Sequence, residues 1–422
     1  MTGSDRPVPG GRIGGRLPSL ASPVYRRFLG TAFLGNVGVW MQVTAQGWLV
    51  LGLTDSAAAL GVASAAGIAP VLALSLLGGV LADRVDRRRI LMSAQFAAAA
   101  FAAVLAVLTT TGRVEYWQVL VLAVLTGSAT ALSMPAFQAI VSTLVPRAVL
   151  GNAIALNAAQ FNLSRIIGPV AAGAAIAAGG LAVAFWINAA MLVVVGVVVS
   201  RLPLADAAGA GRAQASLWSN LVDGLRYVRG QPTVAVLLAL AAVPGLFMLN
   251  YLALLPVMAR DVLGLGAGGL GVLTAAIGVG ALTGSLTVAI VRPSGGSGRL
   301  LVLGLAVASV ALIGYGSSTS VPLSLALLAV LGAAQVAYYA TTNTLLQILV
   351  PGRLRGRVLS LYILTSFGAI PIGNLAAGAL AEGFGAPLAL AGGGVLTLLV
   401  LALIVAAYPP LRHLRVTRPA DS

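Results

Sequence analysis

The sequence predicts an all-α membrane protein in which twelve transmembrane helices form two pseudo-symmetric six-helix bundles. Three observations lead to this prediction: an apolar composition, a repeat of about half the chain length, and a one-sided distribution of arginine. Of the 422 residues, 59% are hydrophobic and 8% are charged, whereas an ordinary globular domain is about 25% charged. Such a composition is typical of a chain that crosses the bilayer many times.

The predicted spans are runs of roughly 20 or more mostly apolar residues, the length that a helix needs to cross a bilayer. They are bounded by glycine, proline or charge at 28–52, 57–82, 90–110, 116–141, 153–178, 181–202, 233–258, 268–291, 299–316, 322–348, 358–381 and 387–408. The predicted units are a disordered cytoplasmic tail (1–27), a first bundle (28–202), a linker (203–232), a second bundle (233–408) and a second cytoplasmic tail (409–422). Within the linker, 216–230 is amphipathic and is predicted to lie on the membrane surface.

The repeat relates the two predicted bundles. LVPRAVLGNAIAL at 144–156 is matched by LVPGRLRGRVLSL at 349–361, and the match continues without a gap until Gly180 meets Gly385. A period this long means two copies of a large unit. With six spans in each copy, both run in the same direction and are related by an axis along the membrane normal.

Charge predicts the orientation. The chain has no lysine, so all 25 basic residues are arginine. Nearly all of them fall in loops and tails on one side of the predicted membrane, while Arg113 and Arg260 fall on the other. The positive-inside rule places the arginine-rich side, with both termini, in the cytoplasm. The protein is therefore expected to be a multi-pass protein of a bacterial inner membrane, and its net charge of +15 needs no nucleic-acid partner.

A loop signature connects these features to a known family. GGVLADRVDRRRIL at 78–91 resembles the G-x-x-x-D-R-x-G-x-R-R signature of the major facilitator superfamily, with Asp86 in place of the central glycine. Asp tolerates a left-handed backbone less well than Gly. The segments ALNAAQFNLSRIIGPVAAG, SLWSNLVDGLRYVRGQP and LVPGRLRGRVLSLY look like the branch of transmembrane secretion effectors that contains the enterobactin exporter.

The resemblance implies a major facilitator fold, alternating access by rocking of one bundle against the other, and a gating latch. In the family, the loop aspartate contacts the N-terminus of helix 11, which attracts negative charge and is expected here near Arg357. The latch candidates are Gly79, Asp83, Arg84, Arg88, Arg353, Arg355 and Arg357. The alternative is a solvated charged loop that only sets topology.

The fifth span resembles the family's antiporter signature at Ser164, Gly168, Pro169 and Gly173. This resemblance favours export and implies a hinge, although close helix packing alone would also explain small residues at these spacings.

Arg165 is the one arginine that falls inside a span. An intramembrane arginine is costly unless it is paired or hydrated, and no acidic residue lies well inside any predicted span. Arg165 therefore either neutralises an anionic substrate group or has a structural role in bonding or snorkelling. With it, the polar candidates for a substrate cavity are Asn36, Gln42, Gln46, Gln138, Asn157, Gln160, Asn250, Tyr251, Gln335, Tyr339, Asn343 and Tyr362.

The expected function is secondary active export of an amphiphilic small molecule, a siderophore, drug or secondary metabolite, with proton antiport as the driver that the resemblance implies. The alternative is a carrier of lysophospholipid or another lipid. An intramembrane enzyme is disfavoured because the spans lack a catalytic set, cysteine is absent, and the single histidine, His413, lies in the tail. Neither a metal nor a cofactor is expected. No nucleotide is expected either, because the glycine-rich segment GLGAGGLG at 264–271 follows no predicted strand. The partners expected are the substrate and the bilayer, with the protein a monomer.

Overall fold

The computed structural model describes residues 17–202, 217–290 and 297–414, which are almost entirely helical and contain no strand. In chain order the helices are α1 (Pro23–Thr54), α2 (Ala57–Arg84), α3 (Arg87–Thr110), α4 (Tyr116–Thr143), α5 (Leu150–Gly179), α6 (Leu181–Arg201), α7 (Leu217–Arg229), α8 (Pro232–Phe247), α9 (Tyr251–Val257), α10 (Ala267–Ile290), α11 (Ser297–Gly316), α12 (Val321–Leu349), α13 (Gly352–Phe384) and α14 (Ala386–Ala407). The all-helical class is therefore confirmed.

Eleven helical segments in these ranges are long and apolar enough to cross a membrane, with residues 232–262 as one of them. Helix α1 is not among the eleven, although it is 32 residues long. Polar side chains such as Gln42 and Gln46 lower its mean hydropathy. That α1 crosses the membrane, which would make the total twelve spans, is therefore still a prediction.

The seventh predicted span, 233–258, is not a single continuous helix. Helix α8 ends at Phe247, α9 begins at Tyr251, and a wider π-helical turn follows at Met258–Val262. Pro244 lies in α8 and Pro256 lies in α9. Proline lacks a backbone N–H and crowds the preceding turn of a helix, so both residues weaken the regular helical hydrogen bonding. At the break, the backbone N–H groups of Met248 and Leu249 both donate to the Pro244 carbonyl, at 2.9 and 2.7 Å.

The packed chain begins before the predicted boundary at residue 28. A 3₁₀ turn at Pro18–Ala21 precedes α1, and the Ser19 N–H donates to Asn152 Oδ1 at 3.2 Å. The fully buried Tyr25 donates its hydroxyl proton to the Ala153 carbonyl at 2.7 Å. The predicted tail is therefore wrong for residues 18–27, which pack on the start of α5, while residues 1–16 lie outside the described ranges.

The other end of the chain also packs further than predicted. Leu411 is fully buried beside α11, and the Gly298 N–H donates to the Leu414 carbonyl at 3.1 Å. Residues 415–422 of the predicted tail are not described.

Helix α7 corresponds to the predicted linker helix, and residues 203–216 before it lie outside the described ranges. It packs on α8 and α13. Asp223 of α7 accepts a hydrogen bond from Arg357 Nη1 at 2.9 Å, so the linker is tied to the start of α13. Its position on a membrane surface is still a prediction.

The two most extensive contacts between the N-terminal half (α1–α6) and the C-terminal half (α8–α14) are α5 on α10 and α2 on α13, with smaller contacts of α1 and α2 on α9 and of α1 on α10. The two extensive contacts are equivalent under the sequence repeat. Gly173 faces Gly268 in the first, and Gly378 faces Gly61 in the second. Glycine on both sides lets the helix backbones approach closely.

The repeat extends to the backbone at Gly180 and Gly385, which separate α5 from α6 and α13 from α14. Their φ angles are 85° and 88°, and their ψ angles are 176° and 149°. This conformation is open in practice to glycine only. Each half therefore uses the same tight connection at the same place.

We expect Gly385→Ala to destabilise the protein by about 1–3 kcal/mol, because a Cβ is strained in this conformation. Thermal unfolding in detergent would measure the loss. Gly383→Ala is the matched control, since its Cβ would meet no atom within 4 Å. Equal unfolding midpoints for the two variants would contradict the prediction.

Candidate transport pathway and gates

The loops and helix ends of the predicted spans lie on two opposite faces of the molecule. We call one the arginine-rich face; it carries the starts of α1, α5 and α13 and the linker helix α7. We call the other the arginine-poor face; it carries the connection at Asp55–Ser56 and the connections around Gly180 and Gly385. The close glycine contacts between the two halves lie in the arginine-poor part of the molecule or near mid-helix.

At the arginine-poor face, Arg260 joins the two halves. It forms ion pairs with Asp55 at the end of α1 and with its neighbour Asp261, and its Nη1 donates to the Leu51 carbonyl at 3.5 Å. Asp55 has a left-handed backbone, with φ 49°, and non-glycine residues held this way cluster at functional sites. Because its side chain is 82% exposed, the pair contributes little stability, about 1 kcal/mol or less.

A second link at this face joins α13 to the start of α2. Glu382 Oε2 accepts hydrogen bonds from the Ser56 hydroxyl at 2.9 Å and from the Ala58 N–H at 3.1 Å. Ser56 is also the N-cap of α2, accepting from the Ala59 N–H at 3.1 Å. A helix N-terminus has unpaired N–H groups and a partial positive charge. The Glu382 carboxylate therefore binds the N-terminus of a helix from the opposite half.

Between the halves lies a cavity of about 430 Å³. Most of its wall comes from α1, α2, α3 and α4, with further residues from α9, α10 and α13. Of the predicted cavity residues, Gln42 and Gln46 line it, and Gln42 Nε2 donates to Gln46 Oε1 at 3.3 Å. The wall is mainly apolar, with a few amides and hydroxyls, which is the usual character of a small-molecule site.

The sequence predictions missed several polar residues on this wall, among them Gln95, Asn188, Thr274 and Asn374. Asn188 donates to Gln42 Oε1 at 2.9 Å, while Asn374 Oδ1 is buried without a hydrogen-bond partner in the described part of the chain. The available signal was an amide in the middle of an apolar helix. That signal does not say whether the amide faces a cavity or a neighbouring helix.

A polar cluster joins the halves near the middle of α5. The Arg165 guanidinium lies 5.0 Å from the centre of the Trp40 ring and beside the hydroxyl of Tyr251. Tyr251 donates to Gln335 Oε1 at 3.4 Å, and Tyr339 lies near Tyr251. The fold thus brings Arg165 of one half together with three predicted residues of the other, and Trp40 was not predicted.

Other candidates bond one another within the N-terminal half. Asn36 donates to Gln160 Oε1 at 3.2 Å, and Gln160 donates to Asn157 Oδ1 at 3.0 Å. This network fastens α1 to α5, so it gives those three residues a packing role. Their assignment to a substrate site stays a prediction.

The remaining candidates do not form one group, although Tyr362 lies near Tyr339 of the polar cluster. Gln138 is exposed on α4, and Asn343 accepts a hydrogen bond from Gln347 one turn along α12. Asn250 is buried at the break before α9, beside a second cavity of about 380 Å³, and Tyr362 is buried on α13.

The hinge candidates on α5 make two kinds of close contact. Ser164 donates to the Gln160 carbonyl at 2.8 Å and reaches the Phe33 carbonyl at 3.3 Å. A Cβ on Gly168 would lie 2.7 Å from the Val37 carbonyl oxygen of α1, whereas one on Gly173 would lie 2.9 Å from Gly268 Cα of α10. The signature therefore packs α5 inside its own half and against the other half. Pro169 lies between them, and a hinge motion stays a prediction.

The latch candidates are only partly visible. The side chains of Asp83 and Arg84, and Gly79 beside them, lie outside what the structure describes. Asp86, which replaces the family glycine, has φ −52° and caps α3 by accepting from the Arg88 N–H at 2.9 Å. The substitution thus imposes no left-handed strain and gives α3 a carboxylate cap.

The start of α13 was predicted near Arg357 and is wrong by more than a turn, because the helix begins at Gly352. Arg353 and Arg355 are exposed in its first turn. Arg357 is half-buried and paired with Asp223 of α7. The linker helix therefore contacts the helix start to which the predicted latch would bind.

The sequence of the chain matches a known family. The sequence profile described as transmembrane secretion effector matches residues 15–417. The chain belongs to this family of major facilitator transporters. It is therefore a multi-pass membrane transporter.

Two relatives of this family member span nearly its whole length. The multidrug efflux pump Tap of Mycolicibacterium fortuitum is 29% identical over 395 residues, which cover 91% of this chain and 95% of Tap. The enterobactin exporter EntS of Shigella flexneri is 27% identical over 416 residues, which cover 95% and 94%.

Solved structures of major facilitator transporters have the same fold. A bacterial homologue of the human lysosomal transporter Spinster, inward-facing and unoccupied, superposes with a TM-score of 0.72 at 15% identity, over 94% of this chain and 98% of that one. A D-xylose–proton symporter gives 0.73 at 15% identity, over 94% and 100%. At these identities the likeness concerns the fold alone.

Proposed function

We propose that this transporter exports an amphiphilic small molecule by alternating access, with twelve spans in two six-helix bundles and the arginine-rich face in the cytoplasm. One observation carries the proposal: a mainly apolar cavity of about 430 Å³ lies between the halves of an efflux-family chain, and side-chain links join the halves at its arginine-poor face. In this assignment the described conformation is closed to the outside. Substrate enters from the cytoplasm and leaves when the two outer links separate.

The relatives support export rather than uptake, since one is named a multidrug efflux pump and another an enterobactin exporter. The proposed substrate is accordingly a drug, siderophore or secondary metabolite. We further propose that the monomer works by proton antiport. A protonophore that collapses the gradient should then stop export, and continued export would contradict the coupling.

Untargeted mass spectrometry tests the function directly. Cells with and without the protein would be compared in medium, cytoplasm and extracted lipid. We expect a soluble compound that is enriched in the medium when the protein is present and retained in cells when it is absent. A changed lysolipid pool with an unaltered medium would point to a lipid carrier instead, and no difference in any fraction would contradict the proposal.

A cross-linked variant supplies a matched inactive control. The chain has no cysteine, so Asp55→Cys with Arg260→Cys introduces a unique pair across the arginine-poor face. A short bismaleimide should hold that face closed and abolish export of the compound found above. Each single-cysteine variant, treated with the same reagent, should retain export. If the linked pair exports normally, opening at this face is not part of transport.

A further inference from the structure

Arg165 places a positive charge at the contact between the halves. It lies near the middle of α5, and its backbone is so close to α10 that a Cβ on Gly278 would lie 3.2 Å from the Arg165 carbonyl carbon. Among the described residues, no acidic side chain forms an ion pair with it. A charge at this depth in a membrane protein is costly unless something compensates it, and such residues commonly mark a substrate or ion path.

Two neighbours hold the guanidinium without neutralising it. The Trp40 ring faces it at 5.0 Å, and an indole face attracts a cation through its quadrupole. Trp40 is itself positioned by an edge-to-face contact with Phe161, at 6.3 Å between ring centres. The Tyr251 hydroxyl lies beside the guanidinium from the other half. A guanidinium has five N–H donors, so these contacts leave donors available.

The side chains around Arg165 also carry more hydrogen-bond donors than the neighbouring acceptors satisfy. Trp40 Nε1, Gln335 Nε2 and the Tyr339 hydroxyl are buried and have no hydrogen-bond partner in the described chain. The Gln335 carbonyl already accepts from Tyr251, which leaves its NH₂ group unused. Buried donors in a native protein normally find a partner. The partner that fits here is rich in acceptor oxygens and negatively charged.

We propose that Arg165, Trp40, Tyr251, Gln335 and Tyr339 form an anion-recognition subsite that binds an aromatic carboxylate or a similarly charged aromatic group of the substrate. The carboxylate meets the Arg165 guanidinium in the bidentate geometry that planar donors favour. The ring packs among Trp40, Tyr251 and Tyr339. This inference rests on the proposed function and names the class of substrate.

The subsite is placed to couple binding to transport. Arg165 and Trp40 belong to the N-terminal half, whereas the other three residues belong to the C-terminal half. Trp40 also lines the cavity, so a bound anion there has access to the central space. A ligand that bridges both halves binds one relative position of the halves better than another, and only such a difference can shift a conformational equilibrium.

A pair of nearly isosteric probes tests the charge requirement on the purified wild-type protein. Salicylate is an aromatic anion, and salicylamide is its neutral counterpart. Binding of each would be measured by ligand-observed NMR in detergent. We expect salicylate to bind at least roughly tenfold more tightly, the scale of one charge-assisted hydrogen bond in a buried site. Equal affinities, or tighter binding of salicylamide, would overturn the inference.

Three variants locate the effect. Arg165→Gln should remove the preference for salicylate, and Arg165→Lys should keep part of it, because lysine supplies a point charge without the bidentate fork. Arg113→Gln removes an exposed arginine at the arginine-poor face and should leave the preference unchanged.

Unaltered preference in Arg165→Gln, with an unfolding midpoint like that of wild type, would overturn the assignment. If Arg165→Gln does not fold, Trp40→Phe, which lacks the indole N–H, should weaken salicylate binding and leave salicylamide nearly unaffected.

Failure of this inference is separable from failure of the proposed function. Export of a soluble compound with no anion preference in the binding assay would reject the subsite and leave the exporter. Anion preference without any exported compound would reject the exporter and leave the subsite.

Discussion

Gly378→Val is expected to abolish stable closure of the arginine-poor face. A Cβ at this position would lie 2.9 Å from the Ala57 carbonyl oxygen and 3.1 Å from Gly61 Cα. Both are backbone atoms of α2, so only a separation of α2 from α13 can accommodate the side chain. Overpacking of this kind costs about 1–3 kcal/mol, which shifts the ratio of closed to open states by roughly 5- to 150-fold.

Opening can be measured as the labelling rate of a cysteine inside the cavity. Ser64 lines the cavity, and Ser64→Cys would be the single thiol of the protein. A membrane-impermeant maleimide applied from the arginine-poor side should label it much faster in the Gly378→Val background. Gly383→Val lies on the same helix, where a Cβ meets no atom within 4 Å, and should label at the wild-type rate. Equal rates in both backgrounds would show that this contact does not govern closure.

Glu382→Lys is expected to open the same face by charge. The wild-type carboxylate binds the N-terminus of α2, where a negative charge stabilises by about 0.3–1 kcal/mol. Lysine reverses the sign of that interaction and removes both hydrogen bonds across the contact. Labelling of Ser64→Cys should therefore rise by roughly 3- to 30-fold, since each 1.4 kcal/mol is a factor of ten.

Glu382→Gln is the graded control for this prediction. Its amide oxygen can still accept from the Ala58 N–H, so its labelling rate should fall between those of wild type and Glu382→Lys. High salt should reduce the difference between the charge variants, because the site is exposed and screened. If glutamine and lysine label alike, the charge of Glu382 has no part in closure.

The sequence predicted the helical elements well because their signal is local. A membrane span is specified by the length and apolarity of one segment, and the ends of α2, α6 and α14 fall within two residues of prediction. The superfamily was also recognisable from the motif in 78–91 and its branch from segments such as LVPGRLRGRVLSLY, and both are confirmed by the family match. The broken seventh span was missed because prolines within spans are common in membrane helices.

The functional site was predicted only in part. Arg165 was identifiable as a charge inside a span, but Trp40 was not, since a tryptophan in an apolar helix is also a common lipid-facing residue. Arg260 was recognised only as a charge on the arginine-poor side, and Glu382 was not among the predicted site residues. Their contacts with Ser56 and Asp55 join residues far apart in the chain, and no local pattern specifies such partners.

By itself, then, the sequence determined that this protein is a helical membrane transporter with an internal sequence repeat, because span length, glycine connections and motif residues act within one segment. Only the tertiary structure decided which residues link the halves at the arginine-poor face, which side chains line the cavity, and that Arg165 meets Trp40 and Tyr251. Those features depend on how helices from different halves are rotated and placed against each other. Glycine contacts such as Gly61 with Gly378 fix that placement through backbone proximity, which becomes visible only when both helices are in position.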